Sequence, residues 1–176
     1  MKQVIRDVRL RGRDDIVDVV IDGDSIAAVE PSYEGAVDRE YEGERRLLVP
    51  GFVNAHQHLD KTRLGDVMRP NESQTLQEAI YITWDHKRSY TPEEIVERAS
   101  PVVERAIVNG TTAMRGFADV DTLGGLAPVK GVLELKRRFE GRITMDVVAF
   151  PQEGIIRDPG CDKLMREAMD LSLIHI

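Results

Sequence analysis

From Val49 to about Asp170 the chain alternates short apolar runs with amphipathic stretches, and that alternation restricts its fold more than any other feature. Residues 49–55, 111–117 and 143–150 read as strands. The last is almost continuously apolar, as expected when both faces are covered. Two capping boxes open helices: Thr75-Leu76-Gln77-Glu78, and Thr91-Pro92-Glu93-Glu94 with proline at the tolerated first position. In the first helix Leu76, Ala79, Ile80, Thr83 and Trp84 form one stripe, so Trp84 reads as core rather than as a substrate platform. His86, among Asp85, Lys87 and Arg88, reads as solvated. In the second helix Ile95, Ala99, Val102, Val103, Ala106 and Ile107 share a face, Pro101 should kink the axis, and Asn109-Gly110 ends it. A third helix is expected over about 128–139, with Glu134 and Arg138 paired along it. A fourth should start near Asp162, carrying Leu164, Ala168 and Leu171. Strands separated by crossover helices pair in parallel, which puts their carboxyl ends on one rim.

That rim collects polar residues. Pro50-Gly51-Phe52-Val53-Asn54-Ala55-His56-Gln57-His58-Leu59-Asp60 ends the first strand in two histidines at i, i+2, which project to one face of an extended chain. Two imidazoles so placed can grip one metal ion; chance histidine pairs on exposed loops have the same spacing, and the preceding apolar strand favours the metal. Asp119 and Asp121 follow the second strand, as site residues or as a solvated loop. Gln152 and Glu153 follow the third, as site residues or as a helix-approach turn. Open α/β sheets and (β/α) barrels bind ligands at this end of their strands.

Residues 1–49 read as short strands, with Val17, Val19 and Ile21 before an Asp22-Gly23 turn and Ser25-Ile26-Ala27-Ala28-Val29 returning. No chemistry is visible in them. The net charge of −7 argues against nucleic acid or an anionic membrane as partner. No stretch approaches a membrane span. Charges at Lys2, Arg6 and Asp7 stand where a signal peptide carries its apolar core. Cys161, the single cysteine, cannot form an internal disulfide and reads as a loop residue rather than a nucleophile. The expected compartment is the cytoplasm.

Four pieces of the sequence resemble the amidohydrolase superfamily, most of all its cytosine deaminase branch. They are Val17 to Ile26, Pro50-Gly51-Phe52-Val53 leading into His56-x-His58-Leu59-Asp60, Arg115-x-x-x-Asp119-Val120-Asp121, and Val148-Ala149-Phe150-Pro151-Gln152-Glu153-Gly154. The resemblance implies an α/β fold: a partial TIM-like (β/α) barrel, about three of eight units, preceded by N-terminal strands of a small β-sandwich. It implies residues 1–49 as the N-terminal part of a composite sandwich and 50–170 as the first part of the barrel. It also implies His56 and His58 as ligands of one divalent iron or zinc ion, and Gln152 as a hydrogen-bonding partner of a small cyclic amidine or amide substrate. Relatives often carry a histidine where Phe117 stands, which leaves the metal ligands intact and the substrate open.

The implied reaction is hydrolytic deamination, in which metal-activated hydroxide attacks the amine-bearing ring carbon and a carboxylic acid relays a proton to the departing nitrogen. Removal of an alkylamine from a triazine-type ring is the alternative within the same site. A non-catalytic metal- or partner-binding protein is the alternative outside it. The family takes a further histidine ligand, the proton-shuttling glutamate, another histidine and an aspartate from later strands, so no catalytic residue is expected within this chain. The complete protein is expected to form a homo-oligomer. Leu171-Ser172-Leu173-Ile174-His175-Ile176 is what CTG TCT CTT ATA CAC ATC encodes, the end of a transposase adapter used in sequencing libraries. Residues 171–176 are therefore expected to be a non-native tail, His175 to have no role, and the chain alone to be inactive.

Overall fold

The computed structural model describes residues 1–171. The expected tail, His175 included, falls outside the described residues apart from Leu171. The chain divides into two compact units, Met1–Pro50 and Gly51–Ile176.

The first unit is one five-stranded sheet. It contains β1 (Lys2–Leu10), β2 (Ile16–Asp22), β3 (Ser25–Glu30), β4 (Arg39–Glu42) and β5 (Leu47–Leu48), in the order β3-β2-β1-β4, with β5 also paired to β1. Gly23 turns the β2–β3 hairpin at φ 65°, a conformation that suits a residue without Cβ. Val8, Val17 and Val19 form its buried cluster. Asp18 is buried beside them and accepts the N–H of Asp7 and of Tyr33, each at 3.0 Å, while Arg6 Nη1 pairs with it at 2.8 Å. Leu47 and Leu48 belong to this sheet and do not introduce the next strand. Pro50 offers no N–H, so ladder pairing resumes only at Phe52, whose N–H donates to Gly110 O at 2.9 Å.

The second unit repeats strand and helix. Its elements are β6 (Phe52–His58), α1 (Leu76–Lys87), α2 (Pro92–Val108), β7 (Thr111–Asp119), α3 (Ala127–Arg138), β8 (Thr144–Phe150) and α4 (Cys161–Met169). The three strands pair in parallel in the order β6-β7-β8, as crossover helices require. Thr75 and Thr91 cap α1 and α2 as their sequence boxes imply, each side chain accepting the N–H three residues on. Met114, Ala118, Met145 and Val147 on one face of the sheet pack against Val103 of α2 and Val129, Val132, Leu135 and Phe139 near and on α3. This is the packing of (β/α) units, about three of the eight that close a TIM-like barrel.

Sequence and structure part in several places. On α1 the buried residues are Ile82 and Lys87, whereas Leu76 of the expected stripe is 77 % exposed. His86 is half-buried, with Nε2 3.3 Å from Glu94 Oε1 and its ring edge-on to Tyr90. Glu134 pairs with Arg137 rather than Arg138. Cys161 is the first residue of α4, fully buried, with Sγ donating to Val120 O at 3.3 Å. Burial pushes its thiol pKa up, which suits an inert thiol. No helix among the described residues is long and apolar enough to cross a membrane.

Helices α2 and α3 meet at Gly131, where a Cβ would come within 2.9 Å of Ile95 Cβ and 3.2 Å of Pro92 O. Gly131→Ala gains helix propensity of about 1 kcal/mol but overpacks this contact by about 1–3 kcal/mol. We expect a net loss of about 1 kcal/mol, read as a lower urea midpoint at unchanged slope.

Candidate functional site

The loop after β6 is fastened from below. Leu59 is buried in the sheet–helix core, and the buried Arg98 of α2 donates to the carbonyls of Asp60 and Thr62 while pairing with Glu94. Asp60 is fully buried and its Oδ2 accepts the N–H of Asp119 at 3.0 Å, joining the end of β6 to the end of β7. The His-x-His pair sits on this braced segment. The two imidazoles lie edge to face with centroids 5.2 Å apart. His56 stacks on Phe117 at 4.1 Å, and Phe150 stands 5.4 Å from His58.

His58 Nδ1 lies 3.6 Å from Asp60 Oδ1 and 3.6 Å from Asp119 Oδ1. Both His58 Nδ1 and Asp60 Oδ1 are buried without a hydrogen-bond partner. A carboxylate facing one imidazole nitrogen fixes the ring and leaves the other nitrogen to a ligand. Oxygen and nitrogen atoms of His58, Asp60 and Asp119 lie within 4.8 Å of one another, a group able to hold a divalent ion. The donor set, the orphaned pair and the convergent rings all fit a metal.

Two lysines draw the remaining rim residues together. Lys61 Nζ donates to Asp119 Oδ1 and Oδ2 at 2.9 and 3.0 Å and to Gln152 Oε1 at 3.0 Å. Lys87, at the end of α1, is fully enclosed: its Nζ is 2.5 Å from Asp119 Oδ2, 2.6 Å from Asp121 Oδ2 and 3.8 Å from Glu153 Oε1. Burial disfavours the Lys87 ammonium, but Asp119 and Asp121 outweigh it and hold its pKa above the ordinary lysine value. Trp84 Nε1 donates to Glu153 Oε1 at 2.9 Å. Asp121 Oδ1 caps the following turn by accepting the N–H of Leu123 and of Gly124.

N-isopropylammelide isopropyl amidohydrolase of Pseudomonas sp. (strain ADP) is 33 % identical to this chain over 172 residues, 96 % of the chain and 43 % of that relative. N-isopropylammelide isopropylaminohydrolase of Burkholderia multivorans superposes with a TM-score of 0.83 at 32 % identity, over 98 % of the chain and 43 % of the solved structure. The chain belongs to the amidohydrolase superfamily. 5-Methylcytosine deaminase of Klebsiella pneumoniae, liganded with 5-fluorocytosine, matches it equally in fold: TM-score 0.83, 30 % identity, 98 % of the chain and 41 % of that structure. The chain thus spans less than half the length of the relatives it matches. No family model matches it.

In this chain the polar clusters read from the sequence do meet on one rim. Asp119 and Asp121 are buried, Gln152 reaches Lys61, and Glu153 reaches Trp84. Sequence reasoning missed Lys61 and Lys87 and misplaced Trp84, which is half-buried on the rim rather than in the core. Lys87 stands three residues after Trp84, on the same face of α1, which by itself did not show what that face meets.

Removing the Lys87 ammonium leaves Asp119 and Asp121 buried with less compensation, so Lys87→Met should cost about 3–5 kcal/mol in a denaturant titration. Adding Asp121→Asn should recover part of the loss. Because the folded pKa of Lys87 is raised, its contribution is complete below the unfolded value of about 10.4 and fades as pH climbs through the folded value. Lys87→Met should flatten the alkaline limb of the stability profile and leave the neutral-to-acid limb in shape.

Proposed function

We propose that this chain carries the first part of the site of a metal-dependent hydrolase acting on non-peptide C–N bonds of small cyclic amidines and amides, with cytosine-deaminase-like hydrolytic deamination as the reaction. The observation that carries the reading is the His-x-His pair at the carboxyl end of β6, with His58 Nδ1 facing the buried, otherwise unpartnered Asp60 Oδ1. His56 and His58 would hold one divalent ion, iron or zinc, with Asp60 orienting the second imidazole. When bound, the ion supplies Lewis acidity and water deprotonated near neutral pH.

The chain's own residues provide recognition. A lysine only donates, so the Gln152 amide oxygen faces Lys61 Nζ and its NH2 is left to donate to a ring carbonyl. That polarity suits a carbonyl-bearing heterocycle. Asp119, flanked by Lys61 and Lys87, is the hub that fixes these groups relative to His58. The proton-relaying acid and the remaining ligands would come from strands beyond β8, following the family pattern. An alkylamine-removing reaction on a triazine-type ring is the second reading. Phe117 and Phe150 favour it, because they place apolar surface beside the histidines, where an alkyl substituent would be welcome.

The test is metal uptake by the purified chain. We expect one equivalent of zinc or ferrous iron per chain, lost in His56→Asn and in His58→Asn, and an affinity lowered about 10–100-fold in Asp60→Asn. Uptake indifferent to both histidine substitutions would refute the site. The chain alone should release no ammonia from cytosine. A longer protein that contains this segment together with the later strands of the fold should release it in a metal-dependent way.

A further inference from the structure

His58 Nδ1 faces two carboxylates with unequal commitments. Asp60 Oδ1 and Asp119 Oδ1 each stand 3.6 Å from that nitrogen. Asp60 Oδ1 has no hydrogen-bond partner, whereas Asp119 Oδ1 accepts from Lys61 Nζ at 2.9 Å. Asp119 is also held in ways that do not involve Lys61. Lys87 Nζ lies 2.5 Å from its Oδ2, and its backbone N–H donates to Asp60 Oδ2 at 3.0 Å. The Asp119 side chain is fully buried, while that of Lys61 keeps some exposure, so Lys61 is the partner that can be removed with least damage to the fold.

We propose that Asp119 is a second positioning residue for His58, and that Lys61 tunes it by drawing on the same carboxylate oxygen that faces Nδ1. The inference rests on the metal-dependent hydrolase reading above and deepens it. An imidazole that donates one N–H to a carboxylate is a more basic ligand at its other nitrogen, and outer partners of this kind change metal affinity about 10–100-fold. A carboxylate oxygen that already accepts from an ammonium has less negative charge to offer a second donor. Lys61 therefore restrains what Asp119 does for His58. Without Lys61, Lys87 and the backbone bond to Asp60 keep the carboxylate in place, and Oδ1 turns to His58 undivided. The same Nζ donates to Gln152 Oε1 at 3.0 Å, so one ammonium restrains the metal end and orients the amide.

Zinc affinity of the purified chain should fall about tenfold in Asp119→Asn and rise about threefold in Lys61→Met, with Lys61→Arg within about twofold of the wild type. A substitution that merely loosened the fold would not tighten zinc. In the cobalt-loaded chain Lys61→Met should also move the visible ligand-field bands, because the His58 imidazole becomes a stronger donor. A charge acting through space alone would alter affinity and leave the bands in place. Unmoved bands in Lys61→Met, or zinc affinity no higher than that of the wild type, would overturn the proposal. So would a folded Asp119→Asn that binds zinc as the wild type does. In each of these cases, loss of zinc in His56→Asn and His58→Asn leaves the metal reading standing. If Asp119→Asn does not fold, because Lys87 keeps a buried charge beside it, the affinity and bands of Lys61→Met decide by the same criteria. Zinc uptake indifferent to both histidine substitutions would defeat the metal reading and this inference with it.

Discussion

The ammonium of Lys87, closed off from solvent between Asp119 and Asp121, is the interaction on which the rim depends. Moving three charges out of water is costly, and the mutual attraction repays it only when geometry is close and every lone pair is served. Here that condition is nearly met. Asp119 is shared by Lys61 and Lys87, Asp121 caps its own turn, and Asp119 donates its backbone N–H to Asp60. The consequence is positional. Residues following β6, β7 and β8 and one from α1 are held in fixed register, although each comes from a loop or an element end, where the backbone alone would leave freedom.

Asp119 carries the tension in this arrangement. Burial, and after it the nearby Asp60 carboxylate, push its pKa up, while the two lysines pull it down. Asp60 Oδ1 and His58 Nδ1, both left without a hydrogen bond beside the Asp119 carboxylate, concentrate negative potential at the histidine end of the site. A protein bears such a cost when a cation relieves it. Lys61 pairs with the same Asp119 Oδ1 that faces His58 Nδ1, and Lys87 with Asp119 Oδ2, so the lysines neutralise Asp119 and donate to neither orphaned atom. The network therefore leaves one place where positive charge is wanted.

Much of this was legible in the sequence, and the limits have physical causes. Capping boxes at Thr75 and Thr91 and the apolar run of β8 are local features, governed by backbone hydrogen bonding and burial period, so they survive folding. The convergence of His58, Asp119 and Gln152 followed from topology, since parallel strands share one end. Lys87 and Trp84 were not legible, because periodicity reports which residues of a helix share a face and not which neighbour that face meets. On α1 the apolar stripe and Lys87 line the same rim cavity, and the Lys87 ammonium pairs with the aspartates there. A lysine in an Asp-His-Lys-Arg run looks solvated until the residues waiting for it on other elements are known.

Phe117 sets the character of the surface beside the histidine pair. Its ring stacks on His56 with planes 25° apart and meets Phe150 edge-on, so three rings on two adjacent strands and their neighbour make an apolar wall beside the imidazoles. A histidine at that position would bring a titratable donor next to His56. Phenylalanine instead packs its face on the His56 ring, which restricts the imidazole and offers no polar atom there. The polar groups of the rim stand elsewhere. There Lys61 has already committed the oxygen of Gln152, leaving an N–H donor, and Glu153 is committed to Trp84. Beside the imidazoles the surface is apolar, and on the rim the carboxylates and the Gln152 oxygen are engaged with lysines and the indole, so the Gln152 NH2 is left as a donor.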